Sequence, residues 1–486
     1  PGPGGTGFGP LHPLGNRVLF AFANGGGERY RLGASAGDAA STGLVAAIHR
    51  GVGSSDPHAL TALGGRMLLV ADDGTHGREV WTSNGTRLGT ALLGDLHPGP
   101  SEHERPTELT AIGGRLFFST GFGTAVWTTQ GVPGDARRLR GRQRFLHSLV
   151  GLGHVAIFFG SEYRDGELSL VIWRSDGTPQ GTRRVETVAR TTNPSDIGAD
   201  FFATATSDGA RVYFTPHYAL DFIDRVSGLW VTDGTAAGTF EAVADPCDRC
   251  TFVASPHLLG QRLVYLTESD VEHPRRTELW TSDLTPAGTL PLLRASFIDG
   301  PIQWIRQLVT LEFGERAFFV ASDFARGEEL WTSDGTPEGT RLVADLRPGP
   351  DSAAPAFLTP RGDHLFFAAD DGVHGREPWV SDGTAEGTRM LRDIRPGQRS
   401  SHPQALRTLD GTLVFAADDG TIGLEPWQSD GTFAGTRPLG DVLAGPLSSS
   451  PRDFAAAGEW LLFNAGRPAA GYELFRLPRA LLGPAP

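Results

Sequence analysis

The sequence predicts an all-β fold, a β-propeller of about ten four-stranded antiparallel blades in a single ring, and three observations lead there. The 486 residues include 65 Gly and 34 Pro, far too many turn formers for a helical protein. The phrase Glu-Leu-Trp-Thr-Ser-Asp-Gly-Thr at 329–336 recurs along the chain. Between its copies lie apolar and aromatic runs of four to seven residues bounded by Gly, Asp or Pro, which is strand length and strand composition.

The aromatic position of the phrase is the ruler. It falls at Trp81, Trp127, Trp173, Trp230, Trp280, Trp331, Trp379 and Trp427, with weaker echoes at Tyr30 and Phe475, giving ten copies spaced by 46 to 57 residues. A period of that size marks a repeat architecture whose units stack on one another. The unit beginning at Pro355 reads in order as PAFLTP, the turn Arg361-Gly362-Asp363, HLFFAAD, the loop DGVHGR, EPWVSD, the turn SDGTAEGT and TRMLRDI. Four short strands in about 48 residues make one propeller blade. Asp-Gly-Thr is turn chemistry, with Gly taking positive φ and Asp bonding nearby amides. The tryptophan is expected to fill the wedge between adjacent blades. The competing closure is two five-bladed rings, but no Pro/Ser-rich linker parts the fifth unit from the sixth. The domain division is then 1–10 as an N-terminal tail, 11–478 as the repeat domain, and 479–486 as a C-terminal tail or closing strand.

These letters resemble the bacterial repeat family written ELW-x-x-DGT, and the layout resembles kelch blades, where a Trp-bearing third strand follows a Gly-rich loop. The resemblance runs from about Leu11 to Phe475. Departures are Gln130-Gly131-Val132 in the third unit, Leu284 in the sixth, and the missing tryptophan of both terminal units. The resemblance implies a propeller-like fold and a secreted or cell-surface location; it carries over no catalytic residue.

Composition narrows the chemistry. All 43 basic residues are arginine, so a Schiff-base lysine, a Walker lysine and a Ser/Lys dyad are excluded. A net charge of −13 argues against nucleic acid and anionic membranes as partners. No apolar run approaches membrane-span length, so no membrane insertion is expected. The segment Pro1 to Pro10 lacks the basic start and apolar stretch of a secretory signal. HExxH, GxSxG and P-loop signatures are missing.

Variation concentrates in units four to six. Units eight and nine keep near-identical second loops, DDGVHGRE and DDGTIGLE, whereas units four to six carry SEYRDGELSL, TPHYALDFIDRVSG and TESDVEHPRRT. Second loops emerge on the same face as the connections between blades, and variable loops on a rigid scaffold are where binding is expected. Trp304, in the connection ASFIDGPIQWIRQ, is read as a loop aromatic. The expected ligand-binding residues are Tyr163, His217, Tyr218, Asp221, Phe222, His257 and Trp304, facing a glycan or protein partner; oligomeric state is left open. The enzyme alternative, a hydrolase or lyase on the same face, would draw on His217, Asp221, Asp224, His257 or His273. A third reading is a structural subunit presenting the regular units for packing. Cys247 and Cys250 enclose two residues and in an oxidising compartment would form a local disulfide clip; free thiols, or zinc with His217, Asp248 or His257, are the alternatives. No cofactor is expected. Calcium is the one ion the Asp-Asp-Gly loops could hold, and they lack the alternating acidic ladder of calcium loops. Arg361-Gly362-Asp363 is read as a strand turn, not an adhesion tripeptide.

Overall fold

The computed structural model describes residues 8–23, 29–38, 40–49, 53–96, 105–121, 125–139, 145–191, 201–220, 223–226, 228–243, 250–252, 256–269, 276–296, 302–311, 316–467 and 471–483. Among them the only helical element is a short 3-10 turn, Arg479–Leu481, and no helix is long and apolar enough to cross a membrane. The fold is all-β, and its described strands form ten propeller-type blades. We label the strands of each blade A to D in chain order.

Two compact units divide the chain, Gly7–Pro256 with blades one to five and His257–Pro486 with blades six to ten. In the first unit, blades one to four are four-stranded, and blade five carries an extra hairpin strand, Ile223–Val226, paired with Val212–Leu220. In the second unit, blades seven to nine are four-stranded, and one parallel pair, Ala295↔Ile302, joins the last strand of blade six to the first of blade seven. Blade ten has three strands among the described residues, Arg452–Ala457, Trp460–Arg467 and Gly471–Pro478, followed by the 3-10 turn.

Blade eight shows how the repeat builds its sheet. Strands A to D are Ala356–Arg361, His364–Asp370, Arg376–Ser381 and Arg389–Met390. Strand D is much shorter than the run TRMLRDI suggests. After Leu391 donates to the Pro378 carbonyl at 2.8 Å, the next acceptor is no longer a backbone carbonyl: Ile394 N donates to Glu377 Oε2 at 3.0 Å. A side-chain carboxylate therefore ends the ladder and turns the chain toward the next blade.

The C–D turn is a closed set of bonds. Gly383 N donates to Ser381 Oγ at 2.9 Å, and Thr384 donates to Asp382 Oδ1 from its amide at 2.8 Å and its hydroxyl at 2.7 Å. Gly387 N donates to Thr384 Oγ1 at 3.0 Å, and Thr388 Oγ1 to the Thr384 carbonyl at 2.6 Å. Both glycines are dictated by geometry. Gly383 sits at φ +88, and a Cβ on Gly387 would lie 2.1 Å from Asp382 Oδ1.

The tryptophans occupy the wedges, as the repeat predicts. Trp81 packs on Leu19, Leu32 and Ala34 of blade one, and Trp173 on Phe117 and Val126 of blade three. In the second unit Trp331 packs on Val264 and Leu279 of blade six, Trp379 on Phe318 and Leu330, and Trp427 on Phe366 and Val380. Each ring joins an apolar face that neither blade could bury alone. Arginines add a second tie between neighbours. Arg389 donates to the Gly431 carbonyl at 2.9 Å, Arg392 to that of Thr436 at 2.9 Å and Arg361 to that of Asp430 at 3.0 Å.

Candidate functional site

The regular blades engage their polar residues internally. Glu377 and Glu425 are fully buried. Glu377 accepts from Ile394 N, from Ser401 N at 3.0 Å and from Ser401 Oγ at 2.6 Å; Glu425 accepts from Val442 N at 2.9 Å, Ser449 N at 2.9 Å and Ser449 Oγ at 2.8 Å. Burial pushes the Glu377 carboxyl up to about 7 and that of Glu329 up to about 8, against the donors that hold them down. The Asp-Asp-Gly loops close on themselves: Asp371 Oδ1 accepts from the amides of Val373 and His374, and its Oδ2 meets His374 Nδ1 at 2.6 Å. Asp73 and His76 repeat this at 2.7 Å. Asp371 raises its histidine above the ordinary value. Among the described residues no group of three His, Cys, Asp or Glu is placed to hold a metal ion. Arg361 is tied to the Asp430 carbonyl and lies 5.6 Å over the Phe366 ring, while Gly362 takes φ +58 in the A–B turn. The tripeptide is a strand turn.

The irregular blades depart from this plan. In blade four, strands B and C run as Val155–Arg164 and Glu167–Ser175, against seven and six residues in blade eight. The hairpin stays in register to its tip, Arg164↔Glu167, around Asp165 at φ +51 and Gly166 at φ +84. Beside that turn stands Tyr163, a large aromatic side chain 46% exposed. Blade five extends likewise, pairing Tyr218↔Arg225 and Leu220↔Ile223. His217 and Tyr218 have strand backbone there; their side chains, Asp221, Phe222 and the side chain of Asp224 lie outside the described residues. So do Cys247, the side chain of Cys250, Asp248 and His273.

In the second unit His257 opens the short strand His257–Leu259 of blade six, where it pairs with Val264. Burial holds its imidazole below the ordinary value, so it is neutral near pH 7. That strand lies beside strand A of blade seven, Ile302–Thr310. Trp304 belongs to this strand and not to a connecting loop as its sequence context suggests. The single parallel pair at Ala295↔Ile302 draws the connection into the sheet and starts the strand early. Trp304 is half-buried, with the Arg306 guanidinium 4.8 Å from its ring centroid, and Arg306 in turn meets Glu328 Oε2 at 2.6 Å. The structure thus brings His257 and Trp304 onto adjacent strands and leaves Tyr163 on the hairpin of blade four. Sequence reading missed Arg306, whose spacing two residues after Trp304 along a strand puts both on one face.

No family model matches the chain, and no curated protein matches it. Among solved structures, it is similar to the computationally designed Ika8 protein at 14% identity and TM-score 0.34, over 77% of this chain and 97% of that one. It is similar to puromycin hydrolase at 15% identity and TM-score 0.34, over 87% of this chain and 60% of that one. A structure from a study of two prolyl endopeptidases is similar at 12% identity and TM-score 0.37, over 78% of this chain and 54% of that one. The chain therefore spans little more than half the length of those two enzymes.

Proposed function

We propose that the protein is a non-catalytic binding scaffold of the ELW-x-x-DGT repeat type, placed at the cell surface or secreted, which engages a glycan or protein through the irregular loops of blades four to six. The observation that carries this reading is the lengthened blade-four hairpin, which holds Tyr163 exposed near its tip while the regular blades close their polar residues on themselves. An aromatic held on a rigid two-stranded arm loses little conformational freedom on binding, which is what an anchor needs. In the second unit Trp304, stacked under Arg306, offers another such platform.

Glycan-array and pull-down binding by the intact chain, lost in Tyr163→Ala or Trp304→Ala with an unchanged unfolding transition, supports the proposal. Turnover of a glycan or peptide substrate that disappears in His217→Ala or His257→Ala would replace it with the enzyme reading.

A further inference from the structure

The chain ends by strapping itself across blade nine. After strand C of blade ten, Arg479 N donates to the Glu459 carbonyl at 2.8 Å, Arg437 donates to the Leu481 carbonyl at 3.1 Å, and Gly483 N donates to Gln428 Oε1 at 3.3 Å. Leu482 enters the core between blades nine and ten, beside Leu439, Phe454 and Phe463. The strap borders an open surface cleft of about 690 Å³ lined by Asp410, Glu459, Trp460, Pro478, Arg479 and Leu482.

Its chemistry is mixed in a particular way. Trp460 stands where six other blades have an arginine, at Arg17, Arg66, Arg115, Arg211, Arg262 and Arg316, and three have Val155, His364 and Thr412; only blade ten puts an indole there. The Arg476 guanidinium sits 3.9 Å from its ring centroid and braces the indole. Arg479 grips both oxygens of Asp410 and donates to the Gly458 carbonyl at 3.1 Å, which fixes a planar charged fork on the cleft wall. Glu459 is exposed, and its carboxylate forms no hydrogen bond or ion pair with the described residues.

We propose that this cleft is a saccharide-binding subsite separate from the surface of the irregular blades. A pyranose ring has an apolar C–H face for Trp460 and hydroxyls that donate to a carboxylate and accept from a guanidinium, so one ligand class satisfies Trp460, Glu459 and the Arg479–Asp410 fork together. Two carboxylates, Asp410 and Glu459, stand with two guanidiniums that are both engaged, Arg479 by Asp410 and Arg476 by the Trp460 ring, so neither is left over for an anion. A purely apolar ligand would leave Glu459 desolvated and unpaired.

The test is isothermal titration and saturation-transfer NMR of the intact chain with soluble hexaoses of glucose, xylose, mannose and N-acetylglucosamine. Binding of at least one hexaose is expected, weakened about tenfold or more in Trp460→Ala, several-fold in Glu459→Gln, and largely retained in Trp460→Phe. Trp304→Ala and Tyr163→Ala should leave this binding unchanged, which keeps the proposal distinguishable from the one above. No binding by any of the four sugars, or binding unaffected by both Trp460→Ala and Glu459→Gln, overturns it.

Discussion

Glu377 and Glu425 each stand two residues before a wedge tryptophan and act as replacement carbonyls, accepting main-chain amides seventeen and twenty-four residues downstream. A glutamine keeps one acceptor but points an amino group at donors, so Glu377→Gln should lower stability by about 1–3 kcal/mol, read as a shift in the urea midpoint. At Asn84 the opposite experiment is available. Six blades have aspartate at this turn position, as in Asp176, Asp233 and Asp283, where the threonine hydroxyl and amide two residues on hold the carboxyl below its ordinary value. Asn84 makes the same contacts with Thr86, at 3.1 Å to the amide and 2.7 Å to the hydroxyl. Charge-assisted hydrogen bonds exceed neutral ones, so Asn84→Asp should raise stability by roughly 0.5–1 kcal/mol. An unchanged or lower Tm would refute that.

Among the elements, strands B and C and their turns were legible because aromatic runs, Asp-Gly-Thr and Trp repeat with one period. Strand A was not fully so. It carries a bulge marked by no glycine: Ala59, Glu108, Gln307, Phe357, Ala405 and Asp453 take φ between +51 and +58 at equivalent places. Since left-handed residues are usually Gly or Asn, nothing in the letters announces it. The fourth strands were misread for a related reason, because Leu-Arg-Asp-Ile has strand character but Glu377 captures the backbone first. Of the candidate residues, Tyr163 and Trp304 both stand in segments that read as loops and both lie on strands, Val155–Arg164 and Ile302–Thr310, because the pairing that lengthens those strands is not marked in the letters, and the cleft at Trp460 depends on long-range contacts of the C-terminal strap. The strap makes its own prediction. Leu482→Ala should cost about 2–5 kcal/mol through lost packing against Phe454 and Phe463, and a chain ending at Pro478 should lose at least as much, measured by chemical denaturation.

For the whole molecule, two sets of ionisable groups set opposite limits on pH. Burial raises the folded values of Glu329, Glu377 and Glu425 above the unfolded carboxyl, so their contribution is complete below about 4.5 and declines as pH rises, through about 7 for Glu377 and about 8 for Glu329. His76 and His374, raised by Asp73 and Asp371, change in the same direction. The turn aspartates are lowered, so their contribution is present above about 4 and is lost on acidification. Thermal unfolding should therefore peak near about pH 5 to 6 and fall toward pH 9, with Glu377→Gln flattening the alkaline side. A Tm that climbs steadily from about pH 5 to 9 would contradict this.

Three guanidinium ties between successive blades, from Arg389, Arg392 and Arg361, end on peptide carbonyls, at Gly431, Thr436 and Asp430, whereas Arg347 and Arg395 reach the carboxylates of Asp370 and Asp418 and Arg479 that of Asp410. A carbonyl is offered by any sequence that keeps the turn. For the carbonyl ties a copied or inserted blade would therefore meet an acceptable acceptor on its new neighbour without a compensating substitution, while the carboxylate ties would carry over only where the repeat keeps both its arginine and its aspartate.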